Sequence, residues 1–182
     1  MVTLLLKKSY QTNSLIEVPF KDLWGKNGLF TTIRLIGKPL RIIFFNEHLK
    51  NLLNSAKIYK IYSKDLNIKL KQIVKLNLDK NINYNHLLRL AVTKDLISIS
   101  LRKRLRPSKN FKLKLLNYKR NDPAHKNLKY NFILTKMKNI STNSNDLALS
   151  FNNRIFETGT ANLIFIKKGI IYSPEENYYK GI

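Results

Sequence analysis

RIFETGTANLIFIKKGIIYSPEENYYKGI, residues 154–182, sets Glu157 by itself between two apolar runs of a strongly basic chain. Leu163–Ile166 and Ile170–Tyr172 flank Lys167-Lys168-Gly169, which reads as a hairpin with the glycine supplying a positive φ. Glu157 ends the strand before it, next to the small residues Thr158, Gly159, Thr160 and Ala161. A carboxylate at a strand end facing small side chains leaves space for something flat and cationic. Spacing alone also allows a surface residue at a turn.

Working outward, the chain carries 34 Lys+Arg against 11 Asp+Glu over 182 residues, a net charge of +23. Such a balance points to nucleic acid or an anionic membrane, a basic ribosomal protein being the first reading. The basic residues are mostly Lys, run from Lys7 to Lys180 and are mixed with Asn and Ile throughout. Lys, Asn and Ile share A/T-rich codons, so a low-GC genome produces the same bias on any soluble scaffold, and no nucleic-acid partner is expected. Basic and aromatic residues interleave in NFKLKLLNYKRN (110–121), which equally reads as a strand with Phe111, Leu113 and Leu115 on one face and Lys112 and Lys114 on the other. There is no Cys, hence no disulfide, thiol nucleophile or Cys-based zinc site. The apolar run in MVTLLLKKSY is too short for a signal-peptide core or a membrane span. A soluble protein of the cytoplasm or an organelle matrix is expected, with no membrane partner.

Between the termini, LFTTIRLIG and KPLRIIFF (29–45) are β-branched and aromatic runs split by Gly37-Lys38-Pro39, a hairpin reading. NEHLKNLLNSAKIY (46–59) opens on an Asn N-cap and places Leu49, Leu52 and Leu53 at helical spacing. A second helix is expected over LNIKLKQIVKLNL (66–78), and HLLRLAVTKDLISISLR (86–102) reads as one or two buried strands. Pro107, Ser108 and Asn110 give the clearest linker signal, which divides the chain into 1–108 and 109–182. A strand, a helix over YNFILTKMKNI (130–140) and the closing strands follow. The whole is an α+β arrangement without internal repeats.

The closing segment resembles the signature of the class IV aminotransferases, the fold-type IV pyridoxal-phosphate enzymes that include branched-chain and D-amino-acid aminotransferases and aminodeoxychorismate lyase. Its pattern reads here as Ile155-Phe156-Glu157, TGTA, Asn162-Leu163, IFIKK, Gly169, IIY, Ser173-Pro174 and Gly181-Ile182, with the run to Gly181 two residues short. WGKNGLFTTIRLIGKPLRIIFFNEHLKNLLNSA (24–56) is similar to the family's Gly-Asp-Gly-x-Phe-x-Thr-x-Arg strand and the His-x-x-Arg-Leu that follows it. DPAHKNLKYN (122–131) resembles the segment of the cofactor lysine.

The resemblance implies roles. Lys126 would hold the pyridoxal 5'-phosphate aldehyde as a Schiff base and shuttle the proton at the substrate Cα. Glu157 would face the pyridine nitrogen and keep it protonated. Tyr130 would bond the ring hydroxyl, and the amides of Gly181 and Ile182 would begin a phosphate-holding turn at a helix N-terminus. Asn51 stands where the family has a phosphate-binding arginine. The resemblance further implies a two-domain fold with a complete N-terminal domain, a C-terminal domain cut short after Ile182, a homodimer when complete, and a small-molecule amino-acid or aminodeoxychorismate substrate. A chain so cut is expected to be poorly soluble, to bind the cofactor weakly or not at all, and to show no transaminase or lyase activity. Thr31, where branched-chain enzymes carry Glu, and Ala161-Asn162-Leu163 look nearer to aminodeoxychorismate lyase than to a branched-chain aminotransferase. A non-catalytic, ribosome-associated protein on a degenerate enzyme fold is the reading from a different class.

Other candidates carry less. His48, His86 and His125 lack ligand spacing, so no metal is expected. Ser98 and Ser100 have no nearby His for a hydrolase triad. The Arg102–Arg106 cluster reads as a solvated face, or as a grip for substrate carboxylates.

Overall fold

The computed structural model describes residues 4–181 and divides them into two compact units: 4–104 with Lys126–Tyr130, and Leu105–His125 with Asn131–Gly181.

The first unit is built on a six-stranded antiparallel sheet in the order β2-β1-β6-β5-β3-β4. Its strands are β1 (Leu4–Gln11), β2 (Glu17–Val18), β3 (Gly28–Gly37), β4 (Arg41–Ile42), β5 (Tyr84–Thr93) and β6 (Leu96–Lys103), and its helices are α1 (Phe45–Ile58) and α2 (Leu66–Asn77). Alternation along β3 decides the layers. Leu29, Ile33 and Leu35 point into a core shared with Leu49, Leu52 and Ala56 of α1 and Leu66, Leu70 and Ile73 of α2, as a period of 2 meeting a period of 3.6 requires. Phe30 points the other way, into a smaller cluster with Leu23, Trp24, Ala91, Leu96 and Leu128.

Two expectations change here, and a third is narrowed. The hairpin at Gly37 forms, with Gly37 at φ 79° and Leu35 paired with Ile42, but its second strand lasts two residues before the chain turns into α1. That helix starts behind Phe44, in the left-handed conformation at φ 50°, with no side-chain cap bond; Asn46 already lies inside the helix and is not the cap. The 86–102 stretch is two strands, β5 and β6, paired antiparallel from His86↔Lys103 to Val92↔Ile97.

The second unit holds a three-stranded sheet, β7 (Lys112–Asn117), β8 (Asn145–Phe151) and β9 (Arg154–Thr158), the helix α3 (Asn131–Met137), and a hairpin of β10 (Phe165–Lys167) and β11 (Ile170–Tyr172). β8 lies between β7, parallel, and β9, antiparallel. Its centre is accordingly buried without alternation at Asp146, Leu147, Ala148 and Leu149; Ile133 and Phe156 of the same unit are buried as well. The expected two-faced β7 is not realised: Leu113 and Leu115 are exposed alongside the lysines, and Leu116 alone of its residues is half-buried. In the closing hairpin Lys168 and Gly169 take φ 51° and 77°, the paired positive values that match a two-residue turn to the strand twist.

Among the described residues no helix is long and apolar enough to cross a membrane, and no group of three or more His, Cys, Asp or Glu side chains is placed to hold a metal ion.

Candidate functional site

In the first unit the candidate residues lie along β3: Thr31, His48 and Asn51 on the face that α1 covers, and the segment 126–130 beside the strand, with Tyr130 on the opposite face against Phe30 and Trp24. Thr31, buried on β3, shares a 2.9 Å hydrogen bond with His48 Nδ1 on α1. Burial pushes the His48 imidazole down to about 4, the positive charge of Lys126 adds to the effect, and Glu47 opposes it. Asn51 lies three residues beyond His48 on α1, hence on the same face. The segment bearing Lys126 is fastened to β3 by its backbone: Phe30 N donates to the Lys126 carbonyl at 2.8 Å, Leu128 N to Gly28 O at 2.9 Å, and Leu29 bridges Asn127. Gly25 N donates in turn to Leu128 O. Leu128 is fully buried, so its side chain pins the segment as well.

Close approach is possible because residue 28 is glycine. A Cβ there would stand 2.4 Å from Val92 O and 2.7 Å from Leu128 Cδ1. Tyr130 is packed edge-on against Phe30 at 5.7 Å and tilted against Trp24 at 5.9 Å, while Trp24 and Phe30 form their own edge-to-face pair. Arg89 lies over the Trp24 ring and pairs with Asp22.

In the second unit Glu157 is buried on β9, at 4% exposure, and is not an isolated carboxylate. Arg120, itself 6% exposed, grips it with both arms of its fork: Nε donates to Oε1 at 2.5 Å and Nη2 to Oε2 at 3.1 Å. Tyr179 N approaches Oε2 at 3.4 Å. The turn of small residues after Glu157 is braced by a second buried carboxylate, Asp146 on β8. Its Oδ2 accepts from Thr158 Oγ1 at 2.7 Å and Thr160 Oγ1 at 2.5 Å, and its Oδ1 from Leu147 N. Thr158 Oγ1, its one proton directed to Asp146, also lies 3.0 Å from Ala161 O and accepts from the Thr160 and Ala161 amides. Gly159 is needed there, since a Cβ would meet Asp146 Oδ1 at 2.9 Å. Gly181 is exposed, and Ile182 lies outside the described residues.

Lys126, Tyr130 and Asn51 thus belong to the first unit and Glu157 and Gly181 to the second. The surface reading of Glu157 is overturned by its burial. Arg120 and Asp146 were missed: in a chain so rich in basic residues, neither composition nor spacing marks the one arginine that becomes buried. The remaining candidates have structural partners. Ser98 bonds Ser9 and the Lys21 carbonyl, His86 Nδ1 accepts from Asn85 N, and His125 pairs with Asp122 at 2.8 Å. Arg102 is half-buried, and Lys103–Arg106 are exposed.

The family model of the class IV amino-transferases matches residues 28–182, so the chain belongs to that family. Solved structures agree on the fold. A branched-chain aminotransferase of the thermophilic archaeon Thermoproteus uzoniensis, solved with norvaline, superposes with a TM-score of 0.71 at 15% identity, over 96% of this chain and 71% of its own. A candidate 4-amino-4-deoxychorismate lyase of Legionella pneumophila gives 0.63 at 22% identity over 86% and 65%. A hypothetical aminotransferase of Mycobacterium tuberculosis in its PLP-bound form gives 0.60 at 14% identity over 97% and 74%. At these identities the likeness is one of fold, the α+β architecture of the fold-type IV enzymes. No curated protein matches the chain by sequence. Pyridoxal 5'-phosphate is the cofactor that goes with the family. The chain offers groups of the kind it needs: an amine at Lys126, a phenol at Tyr130 and a buried carboxylate at Glu157. At Asn51 the fit weakens, since a neutral amide replaces a cation.

Proposed function

We propose that the protein is a pyridoxal-phosphate enzyme of the lyase branch of its family, most like aminodeoxychorismate lyase, which releases pyruvate from aminodeoxychorismate and leaves 4-aminobenzoate. The observation that carries the choice is Thr31. A buried hydroxyl bonded to His48, whose depressed pKa keeps it neutral at pH 7, puts no negative charge where branched-chain enzymes have a glutamate. Ala161-Asn162-Leu163 supports the same branch.

When bound, the cofactor supplies an electron sink for negative charge developing at the substrate Cα. The chain's own residues hold it and move the proton. Lys126 would hold the cofactor aldehyde and would be the base that moves the proton at the substrate Cα. Tyr130, held by Phe30 and Trp24, donates to the ring hydroxyl oxygen. Glu157 would accept from the ring nitrogen, Asn51 would offer the phosphate a neutral hydrogen bond, and the amides that the resemblance assigns to Gly181 and Ile182 would add to it. The homodimer, the domain boundary at 108/109 and a cytoplasmic or matrix location belong to the same proposal.

Mixing the full chain with pyridoxal phosphate, reducing with borohydride and mapping peptides tests the assignment. The adduct is expected on Lys126 and should be missing in Lys126→Ala; an adduct on Lys129 refutes Lys126 as the attachment point. Pyruvate release from aminodeoxychorismate without an amino acceptor marks the lyase. Amino transfer from leucine without that release marks the branched-chain aminotransferase instead.

A further inference from the structure

Arg120 does more than neutralise Glu157. Its Nη2 also donates to Pro123 O at 2.9 Å and its Nη1 to His125 O at 3.3 Å, so the same buried guanidinium that grips the carboxylate folds the loop 121–125 onto itself. That loop runs directly into Lys126. We propose that Arg120 is a positioning residue for Glu157, fixing the plane of its carboxylate while its remaining donors hold the loop 121–125 by the Pro123 and His125 carbonyls. This rests on the cofactor reading of Lys126 and Glu157 given above.

The argument is geometric. A planar guanidinium in a two-pronged contact fixes the plane of its partner, which a lysine ammonium, a point donor, does not. A carboxylate has about four acceptor positions. The Arg120 fork and the Tyr179 amide take three of them, two on Oε2 and one on Oε1. The acceptor capacity left on Oε1 serves a further donor in a direction that Arg120 sets. A buried ion pair is weak evidence of stabilisation by itself, because apolar replacements often do as well; an orienting task accounts for the pair and for the two carbonyl contacts together.

Two measurements on the full chain test it. Without cofactor, urea unfolding of Arg120→Met, Glu157→Gln and the double variant should show coupling: Arg120→Met lowers the midpoint by stranding a buried carboxylate, and adding Glu157→Gln recovers part of the loss. Additive effects would refute the ion pair. With cofactor labelled at the ring nitrogen, the 15N resonance of the wild-type complex should report a protonated ring. In Arg120→Met it should move toward the unprotonated position, cofactor affinity should fall about tenfold, and Arg120→Lys should restore the charge and stability but not the resonance. An unmoved resonance in Arg120→Met overturns the positioning role while leaving the function intact. Failure of the wild-type chain to attach cofactor at Lys126 is a different result, and it sinks the functional reading itself.

Discussion

A single buried carboxylate, Glu157, is where sequence, packing and chemistry meet most closely. Its oxygens are already engaged by Arg120 and Tyr179, so replacing it with Gln keeps the shape and removes the charge. Glu157→Gln should retain covalent attachment at Lys126 yet lower turnover about a hundredfold or more, because a neutral amide cannot hold the ring nitrogen protonated; unchanged turnover in a steady-state assay would remove Glu157 from the mechanism. His48 gives a prediction in pH. With its folded pKa lowered to about 4 from 6.5, the unfolded chain binds the proton first as pH falls, so stability from this group is full above about 6.5 and is lost as pH drops toward 4. NMR titration should place the His48 midpoint near 4, and His48→Gln should flatten that part of the stability profile. A midpoint near 6.5 would mean that the imidazole is solvated and that its bond to Thr31 does not persist. Asn51 predicts a gain: Asn51→Arg adds a charge-assisted contact worth roughly 1.5–3 kcal/mol and should tighten cofactor binding by about ten- to a hundredfold, read by absorbance titration.

Elements carry the next level, since Lys126 owes its place to how β3 and the segment 126–130 lie side by side. Gly28→Ala drives a methyl into Val92 O and Leu128 Cδ1, an overpacking of roughly 1–3 kcal/mol. Urea midpoints should fall and the Lys126 adduct yield with them; an unaltered midpoint would mean that the backbone pairing of 126–130 with β3 is looser than described. The same comparison separates what could be read in the chain from what could not. The Gly169 hairpin and the two long helices were legible because turn chemistry and apolar spacing are local. The start of α1 was not, because Phe44 takes its left-handed conformation from a two-residue strand that ends too soon for an Asn cap. The docking of 126–130 alongside β3 was hidden because nothing within those five residues says that residues 25–30 will receive them. β7 alternates as an amphipathic strand should, but alternation states which residues share a face and not what covers that face. The Thr158–Ala161 turn was read as small residues leaving space, whereas Asp146 fills its centre.

For the whole molecule, charge and exposed apolar surface pull in opposite directions. A net charge of +23 keeps copies apart, whereas the described surface includes Ile166 at 70% and Ile171 at 66% exposure on the closing hairpin and Leu115 at 64% on β7. β7 is also an edge of its three-stranded sheet, so it offers unpaired backbone groups as well as apolar side chains, a combination prone to pairing with other chains. Repulsion between exposed charges is screened over a Debye length of about 10 Å at 0.1 M salt and about 3 Å at 1 M. The full chain should therefore stay dispersed at low ionic strength and self-associate as salt rises, the reverse of an assembly held by ion pairs. Light scattering across that range reads the effect directly. Leu115→Lys and Ile171→Lys should each move the onset to higher salt by removing apolar contact and adding repulsion, while Leu76→Lys, more exposed still but on α2, should change it far less. Association that weakens with salt, or an onset shifted as much by Leu76→Lys as by the strand variants, would show that general charge rather than these two strands governs the behaviour.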